Sequence, residues 1–326
     1  MAAKTNFREG RNARNKYESI FEGEHILIND LRTRKEIVER PISRYINKEI
    51  IGYPTSVEFH ITEVAHVTNL TSLHKIWDSE GFKGHNENQF SWWSQKINNC
   101  DIQEAEERYL ERLFPNRSKE AKSAQQPVLK QFTTSPLFNN EISRYGNFRF
   151  TFPLSELMET YKKQKCEGEE PVLRVYGTKI FRQEIEYVVL VHSPQFNEKF
   201  KNFPLLTSSP IVDYDGHRII WKAQAICETH NLELDLQLGD ILVAKPMFYQ
   251  FYVWDQVSFA FHTNEVLIFP KTKLKASLRC CEHDSKIDLS LGKNCSSVKD
   301  AERVAESLND GEKEEHKSEE IKLEKD

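Results

Sequence analysis

The five consecutive apolar residues Tyr187-Val188-Val189-Leu190-Val191 constrain the fold of this chain more than any other stretch. A strand with one wet face alternates polar and apolar positions. A run that is apolar at every position must bury both faces, so it belongs in the middle of a sheet. Just upstream stands Gln183-Glu184-Ile185-Glu186. Two carboxylates two residues apart on a strand project from the same face, where each can raise the pKa of the other or both can share one cation. A solvated strand end is the plainer account of the pair.

Around this strand the sequence alternates strands and amphipathic helices. Val57, Phe59 and Ile61 alternate as a half-buried strand, and Leu73, Ile76 and Trp77 then fall on one helical face before Gly81, which is expected to supply a left-handed stop. His66 and Thr68 thus lie where a sheet gives way to a helix, beside backbone N–H groups suited to a polar ligand. A solvated junction with a bystander histidine fits the same residues. Asp101 with Glu104 resembles a capping box, and Ile102, Ala105, Tyr109 and Leu113 follow at helical spacing up to Pro115. Tyr145 to Phe152 reads as an aromatic strand. Leu154, Leu157, Met158 and Tyr161 then make a helix face, with lysines in its last turn and Gly168 beyond.

Trp92 and Trp93 are consecutive, so they cannot point the same way; one can line a pocket while the other packs, or both can anchor the core. Strands are expected over Pro171 to Tyr176, Phe181 to His192, His217 to Ile226 and Phe248 to His262. The segment Leu31 to Glu49 is expected to add a partly helical flap, and Gly52-Tyr53-Pro54 breaks the chain after it.

Composition bounds the function classes. A net charge of −5 argues against strong nonspecific nucleic-acid binding by the whole molecule, and no apolar run nears the roughly eighteen residues of a membrane helix. The basic start lacks the apolar core of a signal peptide. The six cysteines have neither zinc spacing nor disulfide density, so reduced thiols and a cytoplasmic or nuclear location are expected, with no membrane partner. Cys280-Cys281-Glu282-His283 is a local cluster, but no metal site is assigned there. The expected organisation is a mobile N-terminal segment over 1–29, a single globular domain over 30–283, and a disordered charged tail with some transient helix over 284–326.

Three of these stretches, in this order, resemble the ADP-ribosyltransferase superfamily. Ala65-His66-Val67-Thr68 with Leu73, Ile76 and Gly81-Phe82 is similar to its His-x-Thr strand and helix. Tyr145-Gly146-Asn147-Phe148-Arg149-Phe150, then Pro153, Ser155 and Met158, looks like the aromatic strand of the bacterial DNA ADP-ribosyltransferase toxins. Arg182 to Val189 is similar to the strand that carries the family's catalytic glutamate. The resemblance covers roughly residues 57 to 193. It departs from the family in the long spacing between Gly81 and Tyr145, in a competing His60-Ile61-Thr62, and in the lack of a counterpart for the second pocket tyrosine.

The resemblance implies an α+β fold: an ADP-ribosyltransferase-like split antiparallel β-sheet core with flanking helices, here with a strand-rich C-terminal extension. It also implies NAD as substrate. His66 would bond a ribose hydroxyl and Thr68 would help seat the nicotinamide end. Glu186 would hold the nicotinamide-ribose 2′-hydroxyl and stabilise the developing cation, and Glu184 would orient or deprotonate an acceptor. Tyr145, Trp92 and Trp93 are the aromatics placed to stack on nicotinamide or an acceptor base. The expected activity is transfer of ADP-ribose to a macromolecular acceptor, protein or nucleic acid. The alternatives are an inactive member that binds ADP-ribose, nucleic acid or a protein, and an interaction protein in which Tyr249 to Phe261 forms a partner-facing sheet edge.

Overall fold

The computed structural model describes residues 6–12, 15, 17–34, 56–84, 87–133, 135–181, 184–224, 228–234, 240–251 and 254–308. Outside them lie most of the 31–49 flap, the Gly52-Tyr53-Pro54 break, Arg182-Gln183, Cys227, Tyr252-Val253 and the tail from 309 onward. The strands in chain order are β1 (Phe7–Arg11), β2 (Tyr17–Glu22), β3 (Val57–Ile61), β4 (Glu63–Thr68), β5 (Gly81–Phe82), β6 (Phe90–Lys96), β7 (Ile142–Ser143), β8 (Phe148–Pro153) and β9 (Val172–Phe181). They continue as β10 (Glu184–His192), β11 (Val212–Tyr214), β12 (Ile219–Ala223), β13 (Glu228–Leu234), β14 (Leu242–Phe251), β15 (Trp254–His262), β16 (Leu267–Ile268), β17 (Leu278–Cys280) and β18 (Glu282–His283). The α-helices are α1 (Ile28–Thr33), α2 (Leu70–Asp78), α3 (Asn99–Leu113), α4 (Lys119–Ala124), α5 (Leu154–Lys165), α6 (Asn197–Phe200), α7 (Lys271–Ser277) and α8 (Val298–Ser307).

These elements make a mixed α+β structure with a large mixed sheet. The chain divides into two compact units. The first comprises Met1–Ala65, Lys83–Asn139 and Phe152–Leu267; the second comprises His66–Phe82, Asn140–Thr151 and Ile268–Asp326.

In the first unit the sheet runs β1-β2-β9-β10-β15-β6 and continues to the Glu63–Ala65 part of β4. Its central pair, β10 with β15, is parallel, with Glu184 opposite Trp254 and Val191 opposite Phe261. The antiparallel core that the resemblance implies is therefore a mixed sheet. A parallel pair needs a long crossover, and the chain from α6 through β14 supplies it. The apolar run lies between β9 and β15, as its composition requires. Val188, Leu190 and Ala260 pack with Phe90, Tyr176 and Phe200 on one face. By alternation Tyr187, Val189 and Phe261 occupy the other, where Phe261 meets Tyr161 of α5 and Trp93. Within the 1–29 segment, expected to be mobile, Phe7–Arg11 and Tyr17–Glu22 pair as the β1–β2 hairpin at the edge of this sheet. Strand β15 lies inside the sheet between β10 and β6, so the partner-facing edge expected over Tyr249 to Phe261 does not include it.

Local signals shift by a few residues. Helix α3 is capped by Asn98, whose side chain accepts from the Asp101 backbone while the Asp101 carboxylate accepts from the Asn98 N–H. Asp101 is thus the far half of the box rather than its start. After α2 the left-handed position is Glu80, at φ 53°, and Gly81 already begins β5. The tail region begins with order, since its described part contains α8. No helix among the described residues is long and apolar enough to cross a membrane.

Three first-unit histidines are buried and kept neutral. Burial pushes His25, His192 and His262 from 6.5 down to about 4, and Arg174 and Lys199 add repulsion at His192 and His262 respectively. A histidine whose folded pKa is lowered takes up its proton on unfolding, so stability declines as pH falls from 6.5 toward 4 and the dependence flattens below that. Urea midpoints should drop between pH 6.5 and about 5, above the ordinary carboxylate range; a flat profile there would contradict the neutral histidines. Leu190 is fully buried, and Leu190→Ala should cost about 2–5 kcal/mol by urea titration.

Candidate functional site

Glu186 sits on β10 with ladders on both sides: Lys179 of β9 is its cross-strand neighbour on one, Gln256 of β15 on the other. This position fixes its backbone. The carboxylate Oε2 lies 3.1 Å from Lys179 Nζ, and Nζ also lies 3.7 Å from Glu18 Oε2. Both partners of the closer pair keep some contact with solvent, 20% of the Glu186 side chain and 17% of Lys179. The Lys179 ammonium stands 4.9 Å from the centre of the half-buried Trp92 ring, a cation–π contact that holds ammonium and indole together.

Glu184 lies two residues upstream on the same face and is 4% exposed. Gln256 donates to its Oε1 from Nε2. The two carboxylates, which could have shared one cation, are met by different partners, a cation for Glu186 and an amide for Glu184. Further along that face of β15, Ser258 Oγ and Trp254 Nε1 are buried with no hydrogen-bond partner among the described residues. A polar group arriving there would meet unused hydrogen-bonding capacity.

The tandem tryptophans separate as strand alternation demands. Trp92 stays on the face of Glu186, beside Phe90 and Tyr176. Trp93 turns to the opposite face, is 2% exposed, and packs edge-on against Phe152 and Phe261. Of the pair expected to stack on a ligand, Trp93 serves the core instead.

The other expected residues belong to the second unit. His66 is half-buried with its ring edge-on to Phe82 at 5.0 Å. Thr68 is buried and precedes Asn69, whose Oδ1 caps α2 by accepting from the Ser72 N–H at 3.0 Å. Tyr145 is half-buried, with the Arg144 guanidinium 5.7 Å from its ring centre. The first two stretches of the resemblance do meet here. A Cβ on Gly146, which holds φ at +143°, would stand 2.1 Å from the Thr68 carbonyl oxygen, so only glycine lets the two backbones approach. Asn147 ties them to the segment that follows β17: its Nδ2 donates to the Cys281 carbonyl, and its Oδ1 accepts from the Cys295 N–H.

His60, the competing histidine, lies on β3 opposite Ile220 of β12. Burial first, then the nearby Arg108 and Arg218 charges, hold its pKa down. Sequence reasoning did not single out Lys179, Gln256, Ser258 or Asn147. The first three sit on strands whose register depends on distant partners. Asn147 carried a usable signal, a polar residue between the glycine and the aromatic run of Tyr145-Gly146-Asn147-Phe148.

No family model, no curated protein and no solved structure matches the chain.

Because a Cβ at position 146 would meet backbone, Gly146→Ala should destabilise the protein by more than about 1 kcal/mol. Gly10→Ala, where nothing lies within 4 Å, provides the control and should leave the thermal midpoint nearly unchanged.

Proposed function

We propose that the protein transfers ADP-ribose from NAD to a macromolecular acceptor through an ADP-ribosyltransferase-like fold, with Glu186 as the catalytic carboxylate. The observation that carries this reading is the setting of Glu186: a partly exposed carboxylate on a strand paired on both sides, ion-paired to Lys179, whose ammonium lies against the indole of Trp92. Cleavage of the nicotinamide–ribose bond builds positive charge on the ribose. A carboxylate already held in place by a rigid strand lowers the energy of that charge without reorganising as it forms. Glu184, two residues away on the same face, is the group suited to orient an acceptor, with Gln256 steadying it. Trp92 provides an aromatic surface for a base. The roles of His66, Thr68 and Tyr145 rest on the resemblance alone; the structural support for the reading lies in Glu186, Glu184 and Trp92 of the first unit.

One observation favours a second reading, an inactive member that binds ADP-ribose or NAD. Lys179 neutralises Glu186 in the free protein, and its ammonium suits a phosphate of either molecule.

Glu186→Gln keeps volume and removes only charge. Lys179 retains Glu18 as a partner, so the cost to the fold should stay below the roughly 3–5 kcal/mol of a buried charge left with none. Nicotinamide release should fall by about 100-fold or more. Wild type that binds NAD or ADP-ribose in a calorimeter yet releases no nicotinamide with protein, DNA or RNA acceptors would support the binding reading. Wild type that neither binds nor turns over would end both.

A further inference from the structure

His25 is 5% exposed, and both of its ring nitrogens are engaged. Nε2 lies 3.0 Å from the carbonyl oxygen of Val188, and Nδ1 lies 2.8 Å from Ser209 Oγ. The two contacts fix the protons. A carbonyl oxygen only accepts, so Nε2 carries the hydrogen of the neutral ring, Nδ1 is the bare lone pair, and the Ser209 hydroxyl donates to it. The anchoring carbonyl belongs to the apolar run, at the point where the β9–β10 register shifts between Val188 and Val189. The ring is held further by an edge-on contact with Tyr187 at 5.5 Å. A serine, a histidine base and an acceptor that orients that base therefore stand in line, all within the first unit.

Ser209 is also part of the wall of a cavity of about 180 Å³, lined by Thr207, Pro210, Ile211, Val212, Asp213 and Lys222 besides itself. A volume of that order admits a benzene-sized group but not a nucleotide. The backbone N–H groups of Ile211 and Val212 point at Ser209 Oγ from 3.1 and 2.9 Å. These two bonds hold the hydroxyl oxygen in place beside His25 Nδ1.

We infer that Ser209 and His25 form a nucleophile–base pair that cleaves small carboxylic esters with short acyl groups in this cavity. Ser209 Oγ attacks the ester carbonyl carbon while its proton passes to His25 Nδ1. The carbon–oxygen bond to the leaving alcohol breaks, and that alcohol takes the proton from Nδ1. Water, deprotonated by His25, then hydrolyses the acyl-serine and restores the hydroxyl. The site is separate in residues and chemistry from Glu186, so its fate does not decide the NAD reading, nor the reverse.

The test treats the full chain with a small dialkyl fluorophosphate, which forms an oxygen–phosphorus bond as fluoride leaves, and maps the adduct by mass spectrometry. The expected result is one adduct per chain on Ser209, with p-nitrophenyl acetate hydrolysis lost in parallel. In His25→Gln both rates should fall by about 100-fold or more. Folded wild type with no adduct on Ser209 would overturn the inference, and so would an adduct forming equally fast in a folded His25→Gln. The wild-type mapping needs no variant, so it decides the matter even where His25→Gln fails to fold.

Discussion

The parallel pairing of β10 with β15 is the interaction on which the first unit depends. It joins Glu184–Val191 to Trp254–Phe261 across a long stretch of intervening chain, and such non-local pairing must be repaid by burial. The repayment is visible in the side chains: Tyr187, Val188, Val189, Leu190 and Ala260 all lie at 0% exposure. A slip in register by one residue would turn every side chain of the strand to the other face and take Glu184 and Glu186 away from Gln256 and Lys179. That register sets Gln256 opposite Glu186 and within reach of Glu184.

Polar groups follow from the same geometry. At the Leu190 end the face of β10 is covered by aromatic residues, including Phe90 and Phe200. Toward Glu186 it carries charge, and Lys179 is held there by two carboxylates and an indole. One strand thus holds a dry core at one end and a charged, partly exposed group at the other. The same run serves a third purpose through its backbone, where the Val188 carbonyl orients His25. In the second unit an analogous organising role falls to Gly146 and Asn147, whose backbone and amide bind the His66–Asn69 segment and the Cys281 and Cys295 backbones.

Much of the fold was legible in the sequence where the signal is local. The apolar faces of α2 and α5 are buried as their spacing implies, at Leu73, Ile76 and Trp77 and at Leu154, Leu157, Met158 and Tyr161. Caps were less legible, because several residues near Asn98 and Glu80 can serve and the chosen one depends on where the preceding strand releases the chain. Among the candidate-site residues, the shared face of Glu184 and Glu186 and the opposed faces of Trp92 and Trp93 follow from alternation alone. Which tryptophan would be enclosed did not, since either face could have carried the thicker cover.

By itself the sequence determined a mixed α+β chain with a doubly buried central strand, a carboxylate pair on one face of it, and the apolar faces of its helices. These depend on periodicity. Only the tertiary structure decided that the central pair is parallel, that Lys179 rather than a second carboxylate answers Glu186, and that Ser209 meets His25. Those outcomes rest on contacts between residues far apart in the chain, and no local pattern encodes the register that brings them within bonding distance.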